Sequence, residues 1–222
     1  MTLLHYLQNL MMELDLTSLW STLLRLAAIL LCLTVHESAH GLTAYVMGDR
    51  TAKQEGRISL NPLRHIDPVG LFMIFTVGFG WAKPVPVNPR HFRKPKLGMA
   101  AVSLAGPVSN FILAALLIAI CKPIYLYAEY TEISAFFFYF LMDAALLSIG
   151  LGLFNLLPIP PLDGSKILAV FLPDRLYILL MRYESFGILL LLALSYFNVT
   201  GKLISGAITA VYDLLINLII LG

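Results

Sequence analysis

Five stretches of this chain, 20–47, 97–120, 133–157, 176–197 and 203–221, are apolar over roughly the length that crosses a bilayer. A backbone in hydrocarbon has no water to satisfy its N–H and C=O groups, so spans must be helices or closed barrels. Apolar runs of this length read as helices. The expected fold is therefore an all-α polytopic membrane protein with about five spanning helices. Composition agrees, with 59% hydrophobic and only 13% charged residues, where a soluble domain carries about 25% charged. A single unit of 222 residues leaves no room for a sizeable soluble domain. Nothing in it suggests nucleic-acid binding.

The segments between the runs set the frame. Residues 1–18 carry Leu3, Leu4, Leu7, Leu10 and Met11 at helical spacing and read as an amphipathic, interfacial segment. A cleaved signal peptide is not expected, because no Lys or Arg precedes Arg25. Within 56–80, Ile58 and Leu60 alternate with polar residues, Asp67-Pro68-Val69-Gly70 reads as a turn, and Leu71–Phe79 is apolar. That last run covers roughly 14 Å as a helix, too little to cross. The expectation is a re-entrant, β-hairpin-like segment over 56–80. Residues 82–96 hold Lys83, Arg90, Arg93, Lys94 and Lys96 and no acid, which places this loop in the cytoplasm. Cys32 and Cys121 form no CxxC pair and read as buried core residues.

One polar cluster interrupts the first run: His36-Glu37-Ser38-Ala39-His40. Histidines four apart stand one turn apart on one helix face, where two imidazoles can share a metal. Glu37 lies beside them, close enough to serve water at that metal. A pair of core histidines with a buried ion pair is the bland alternative, but ionisable groups in a span are costly and point to function. A catalytic zinc ion takes three protein ligands and keeps one position open. Asp163, after the proline-broken end of a run at Pro158, Pro160 and Pro161, is the first candidate for the third; Asp143 in mid-span and His65 are the others. His5 and His91 read as solvated. Asn155 and Asn110 are the amides in apolar surroundings that could bind a substrate backbone or an oxyanion; interhelical hydrogen bonding is the alternative for both.

Three segments together, Thr34–Gly41, Ala105-Gly106-Pro107-Val108-Ser109-Asn110 and Asn155-Leu156-Leu157-Pro158-Ile159-Pro160-Pro161-Leu162-Asp163-Gly164, resemble the signature regions of the site-2 proteases, which are intramembrane zinc metalloproteases. Gly80-Trp81-Ala82-Lys83-Pro84-Val85-Pro86 is similar to their compact members, which lack PDZ and CBS domains. The resemblance covers about 20–170. It implies one zinc ion held by His36, His40 and Asp163, Glu37 as catalytic acid and base, and Asn155 on the substrate backbone. It also implies a hairpin at 56–80 that pairs with an unwound substrate strand. Transmembrane protein substrates, a bacterial or archaeal cell membrane and a site nearer the cytoplasmic side follow as expectations. The catalytic core would run over 19–170, with two further membrane helices in 171–222. The competing function is a zinc-bound membrane protein that holds transmembrane partners without cutting them.

Overall fold

The computed structural model describes residues 19–77, 80–129, 131–173, 175–176, 184–197 and 199–221. The described residues are mostly helical and contain no strand. Four helices are long and apolar enough to cross a membrane: α1 (Leu19–Val46), α4 (Pro95–Tyr127), α5 (Glu132–Asn155) and α8 (Val199–Ile216, continued by a wider turn to Leu221). Shorter helices lie between them: α2 (Thr51–Gln54), α3 (Pro68–Val77), α6 (Asp163–Leu168) and α7 (Glu184–Tyr196). The fifth expected span, 176–197, is described mainly as α7, which has 13 residues. Four spans, not five, are therefore found among the described residues. The amphipathic segment expected at 1–18 lies outside them.

Helices α1, α4 and α5 pack on one another, and α8 packs on α5. Their contact is made by small residues. Ala28, Ala114, Ala144 and Ala145 are all fully buried, with Ile118, Ile149 and Cys121 filling the space between. Without a hydrophobic drive between helices in lipid, close approach of small residues is what holds spans together. Large apolar side chains such as Leu116, Ile112 and Leu214 face outward instead. Both cysteines are free and buried. Helix α4 outruns its expected end at Ile120 and stops at Tyr127. Pro123 lies inside it and removes only one helical hydrogen bond. Helix α5 starts on a capping box, with Thr131 and Ser134 each accepting from the other's backbone N–H.

The segment read as a β-hairpin folds differently. Asp67-Pro68-Val69-Gly70 is a helix start, not a turn. The Asp67 carboxylate accepts from the Gly70 N–H at 2.8 Å, and Pro68 occupies the first helical position, where its missing N–H costs nothing. The apolar run then continues as α3, 10 residues long and too short to span. Ile58 and Leu60 belong to no strand either. The Ser59 carbonyl between them accepts from Ser38 Oγ at 2.7 Å and pairs with His65 Nε2 at 2.8 Å, so side chains take the place of a neighbouring strand. The one β-type contact among the described residues is an isolated bridge between Ile66 and Ala82.

Candidate metal centre

Helix α1 runs unbroken through the histidine motif and ends at Val46, six residues past His40. At 1.5 Å per residue His40 sits about 9 Å below that end. The two rings meet edge to face with centroids 4.6 Å apart. Across from them, α5 stops at Asn155, and residues 156–162 turn back to start α6 at Asp163. A Cβ at Gly164 would strike the Leu156 and Leu157 carbonyls, so only glycine lets α6 begin this close to the end of α5. This tight return carries Asp163 to the histidines.

The outcome is a convergence of three donors. Asp163 Oδ2 lies 3.1 Å from His36 Nε2 and 3.2 Å from His40 Nε2. One donor atom from each residue falls within 4.8 Å of the others, and all three residues are buried. Donors around a tetrahedral zinc ion, at about 2.0–2.2 Å from it, stand roughly 3.3 Å from one another. The two measured spacings fit that requirement.

A third helix forms the wall behind the rings. His40 Nδ1 donates to the Val102 carbonyl at 2.7 Å, which leaves Nε2 as the unprotonated nitrogen. Gly106, one turn on, faces both rings. A Cβ there would lie 2.5 Å from His40 Cε1 and 2.6 Å from His36 Cε1 and Nε2. Asn110, another turn on, brings its side-chain amide to 3.2 Å from His36 Nδ1. Positions 102, 106 and 110 share one stripe of α4.

The donors line a cavity of about 260 Å³, shared with Glu37, Asn155, Lys166, Met99 and Ser103. Its opposite side is the extended segment around Pro84, Val85 and Val87. That segment is tied down at three places. The buried Arg57 donates to the Lys83 carbonyl at 2.5 Å. The Val85 N–H donates to Glu37 Oε2 at 3.1 Å. The Asn88 N–H donates to Asp49 Oδ2 at 2.7 Å.

The residues singled out in the sequence thus divide. His36, Glu37, His40, Asn155 and Asp163 share the cavity. Asn155 also donates to the Leu151 carbonyl of its own helix at 3.0 Å. Asn110, expected beside the substrate, lies fully buried behind His36 instead. Packing of α4 against α1 leaves it no face on the cavity. Asp143 is on α5, away from the three donors, and the buried His65 is engaged with Ser59. His91, read as solvated, is half exposed but pairs with Asp49 at 2.7 Å. His5 is outside the described residues. Arg57, Val85, Gly106 and Lys166 carried no signal alone; Lys166 could have been found from its place one turn after Asp163.

Comparison with known proteins bears on the same residues. The family model described as peptidase family M50 matches 120–195, which includes Asn155 and Asp163. The Bacillus subtilis protein named "Putative zinc metalloprotease YwhC" is 43% identical over 167 residues, 72% of this chain and 74% of that protein. The Rip2 protein of Mycobacterium tuberculosis H37Rv, with the same designation, is 30% identical over 193 residues, 85% of this chain and 73% of its own. Rip2 of Mycolicibacterium smegmatis is 32% identical over 147 residues, 64% and 54% of the two chains. No solved structure matches.

Proposed function

The chain belongs to peptidase family M50, the site-2 proteases, and on that premise we propose that it hydrolyses peptide bonds within or next to transmembrane segments of other membrane proteins. His36, His40 and Asp163 would hold one zinc ion. The observation that carries this reading is the convergence of their three donor atoms on the floor of a cavity that also holds Glu37. Zinc, when bound, supplies Lewis acidity towards water and the scissile carbonyl.

The protein's own groups divide the remaining work. Glu37 accepts a proton from the attacking water and delivers it to the leaving amine. The Val85 N–H fixes one of its oxygens, so the carboxylate keeps its direction while the other handles the proton. Lys166 brings positive charge to the cavity where the oxyanion develops. Asn155 binds the substrate backbone. A helix shields its own peptide bonds, so the substrate must unwind locally before it reaches Glu37. The depth of His40 below the end of α1 supports a cut inside the bilayer, and the basic 82–96 loop supports a site nearer the face that carries it. On this reading that face would be the cytoplasmic side of a cell membrane, and the bacterial origin of the relatives supports a bacterial one.

The test is direct. Wild type and Glu37→Gln are purified in detergent, assayed for zinc, and given model transmembrane substrates. Both should bind zinc and only wild type should cut. Cleavage that survives Glu37→Gln removes Glu37 from the chemistry. Folded protein without zinc affinity removes the metal site. Zinc binding with no cleavage of any transmembrane substrate favours a non-proteolytic holder of membrane partners.

A further inference from the structure

We infer that Asn110 is the positioning residue for His36: its amide oxygen accepts the Nδ1–H and so turns the Nε2 lone pair towards the metal. The inference rests on His36 being a ligand, as proposed above. A neutral imidazole has one donor and one acceptor nitrogen. If Nε2 is to bind a metal, the proton must be on Nδ1, and Nδ1 then needs an acceptor.

The two histidines meet this need differently. His40 Nδ1 faces the Val102 carbonyl at 2.7 Å, and a carbonyl can only accept. That ring is fixed in the ligating tautomer by the backbone of α4. His36 Nδ1 faces the Asn110 side chain at 3.2 Å. An amide can present either end. In the structure its nitrogen faces the ring and its oxygen has no partner. With that end inward Nδ1 must accept, the ring proton is on Nε2, and Nε2 donates to Asp163 Oδ2 at 3.1 Å. A half-turn of the amide presents the oxygen, accepts Nδ1–H, and frees Nε2. Only the second orientation is compatible with ligation.

Asn110 is well placed for this role. It is fully buried. Its carbonyl is held by Ser148 Oγ–H from α5 at 2.8 Å, which fixes the backbone on which the amide turns. It has no access to the cavity that a substrate would enter. The amide's outer end has no partner to lose, so an apolar residue of the same shape leaves no new orphan there.

The experiment reads zinc affinity in purified, folded protein by competition with a chromophoric chelator, for wild type, Asn110→Asp and Asn110→Leu. Aspartate keeps an acceptor at the same distance; leucine keeps the shape and removes it. Asn110→Leu should bind zinc about 10- to 100-fold more weakly, and Asn110→Asp within about threefold of wild type. Wild-type affinity in Asn110→Leu overturns the inference. So does equal weakening in both variants, which would mean that the acceptor is not what matters. If Asn110→Leu does not fold, Asn110→Val removes the same acceptor and the comparison with Asn110→Asp decides. Failure of wild type to bind zinc would instead overturn the ligand assignment, so the two readings fail separately.

Discussion

Replacing Gly106 by alanine should cost this protein its metal while sparing its fold. The new Cβ would stand 2.5 Å from His40 Cε1 and 2.6 Å from both Cε1 and Nε2 of His36. Ordinary contacts begin near 3.4 Å, so each ring must move by roughly 0.8–0.9 Å. Neither ring is free to do so. His40 is held at 2.7 Å by the Val102 carbonyl, His36 is backed by Asn110 at 3.2 Å, and Asp163 closes the third side. Overpacking of this kind costs about 1–3 kcal/mol, and here it falls on two of the three donors. If most of it appears in binding, zinc affinity drops by roughly 10- to 100-fold, at about 1.4 kcal/mol per decade. Gly150→Ala on the neighbouring helix is the control. Its Cβ would meet only Ile208 Cδ1, at an ordinary 3.6 Å, and exchanging glycine for alanine inside a helix stabilises by about 0.5–1 kcal/mol. Zinc content after chelator dialysis, read alongside thermal unfolding in detergent, separates the two. Gly106→Ala that retains zinc with wild-type affinity would refute the idea that α4 forms a close wall behind the histidines.

Two further outcomes concern the loop and the cavity. Burial alone would raise the Asp49 carboxyl. Hydrogen bonds from Thr51, the Asn88 N–H and His91 outweigh it and hold the pKa at about 2. A folded-state value below the unfolded one adds stability above about pH 4, and that stability is lost as pH falls towards 2. The unscreened shift corresponds to about 2.5 kcal/mol; with half-exposed His91 admitting solvent, about 1 kcal/mol is expected. The unfolding temperature should therefore fall between pH 4 and 2 more steeply in wild type than in Asp49→Asn, and parallel acid slopes would sink the assignment. Lys166→Met should lower kcat by about 100-fold at unchanged zinc content, with partial recovery in Lys166→Arg. A kcat within twofold of wild type would remove Lys166 from the chemistry.

Legibility in the sequence followed the range of the interaction. The spans were readable because hydrocarbon forces a long apolar helix to advertise itself residue by residue. The spacing of His36 and His40 is a property of one helix, and the prolines before Asp163 announce locally that a helix cannot continue. The 56–80 segment is ambiguous for a local reason too. Asp-Pro-x-Gly serves equally as a turn and as an N-cap followed by proline at the first helical position. The deciding fact was that α3 takes all of 68–77 as helix, with Asp67 capping it. Arg57, Asp49 and Val85 were unreadable because their partners lie 26 to 48 residues away. Each secures a loop through backbone groups, which carry no side-chain signature.

Asn110 shows why a residue can be noticed and still be misplaced. Its sequence signal, an amide in an apolar span, says only that some partner must exist. Substrate and neighbouring helix satisfy that demand equally well on paper. What separates them is the register of α4, which sets Val102, Gly106 and Asn110 in one stripe against α1. The stripe gives each histidine an outer partner and leaves the space between for the rings. A carbonyl at one end and an amide at the other are not equivalent. The carbonyl commits His40 to one tautomer, while the amide serves His36 as a ligand only with its oxygen towards the ring.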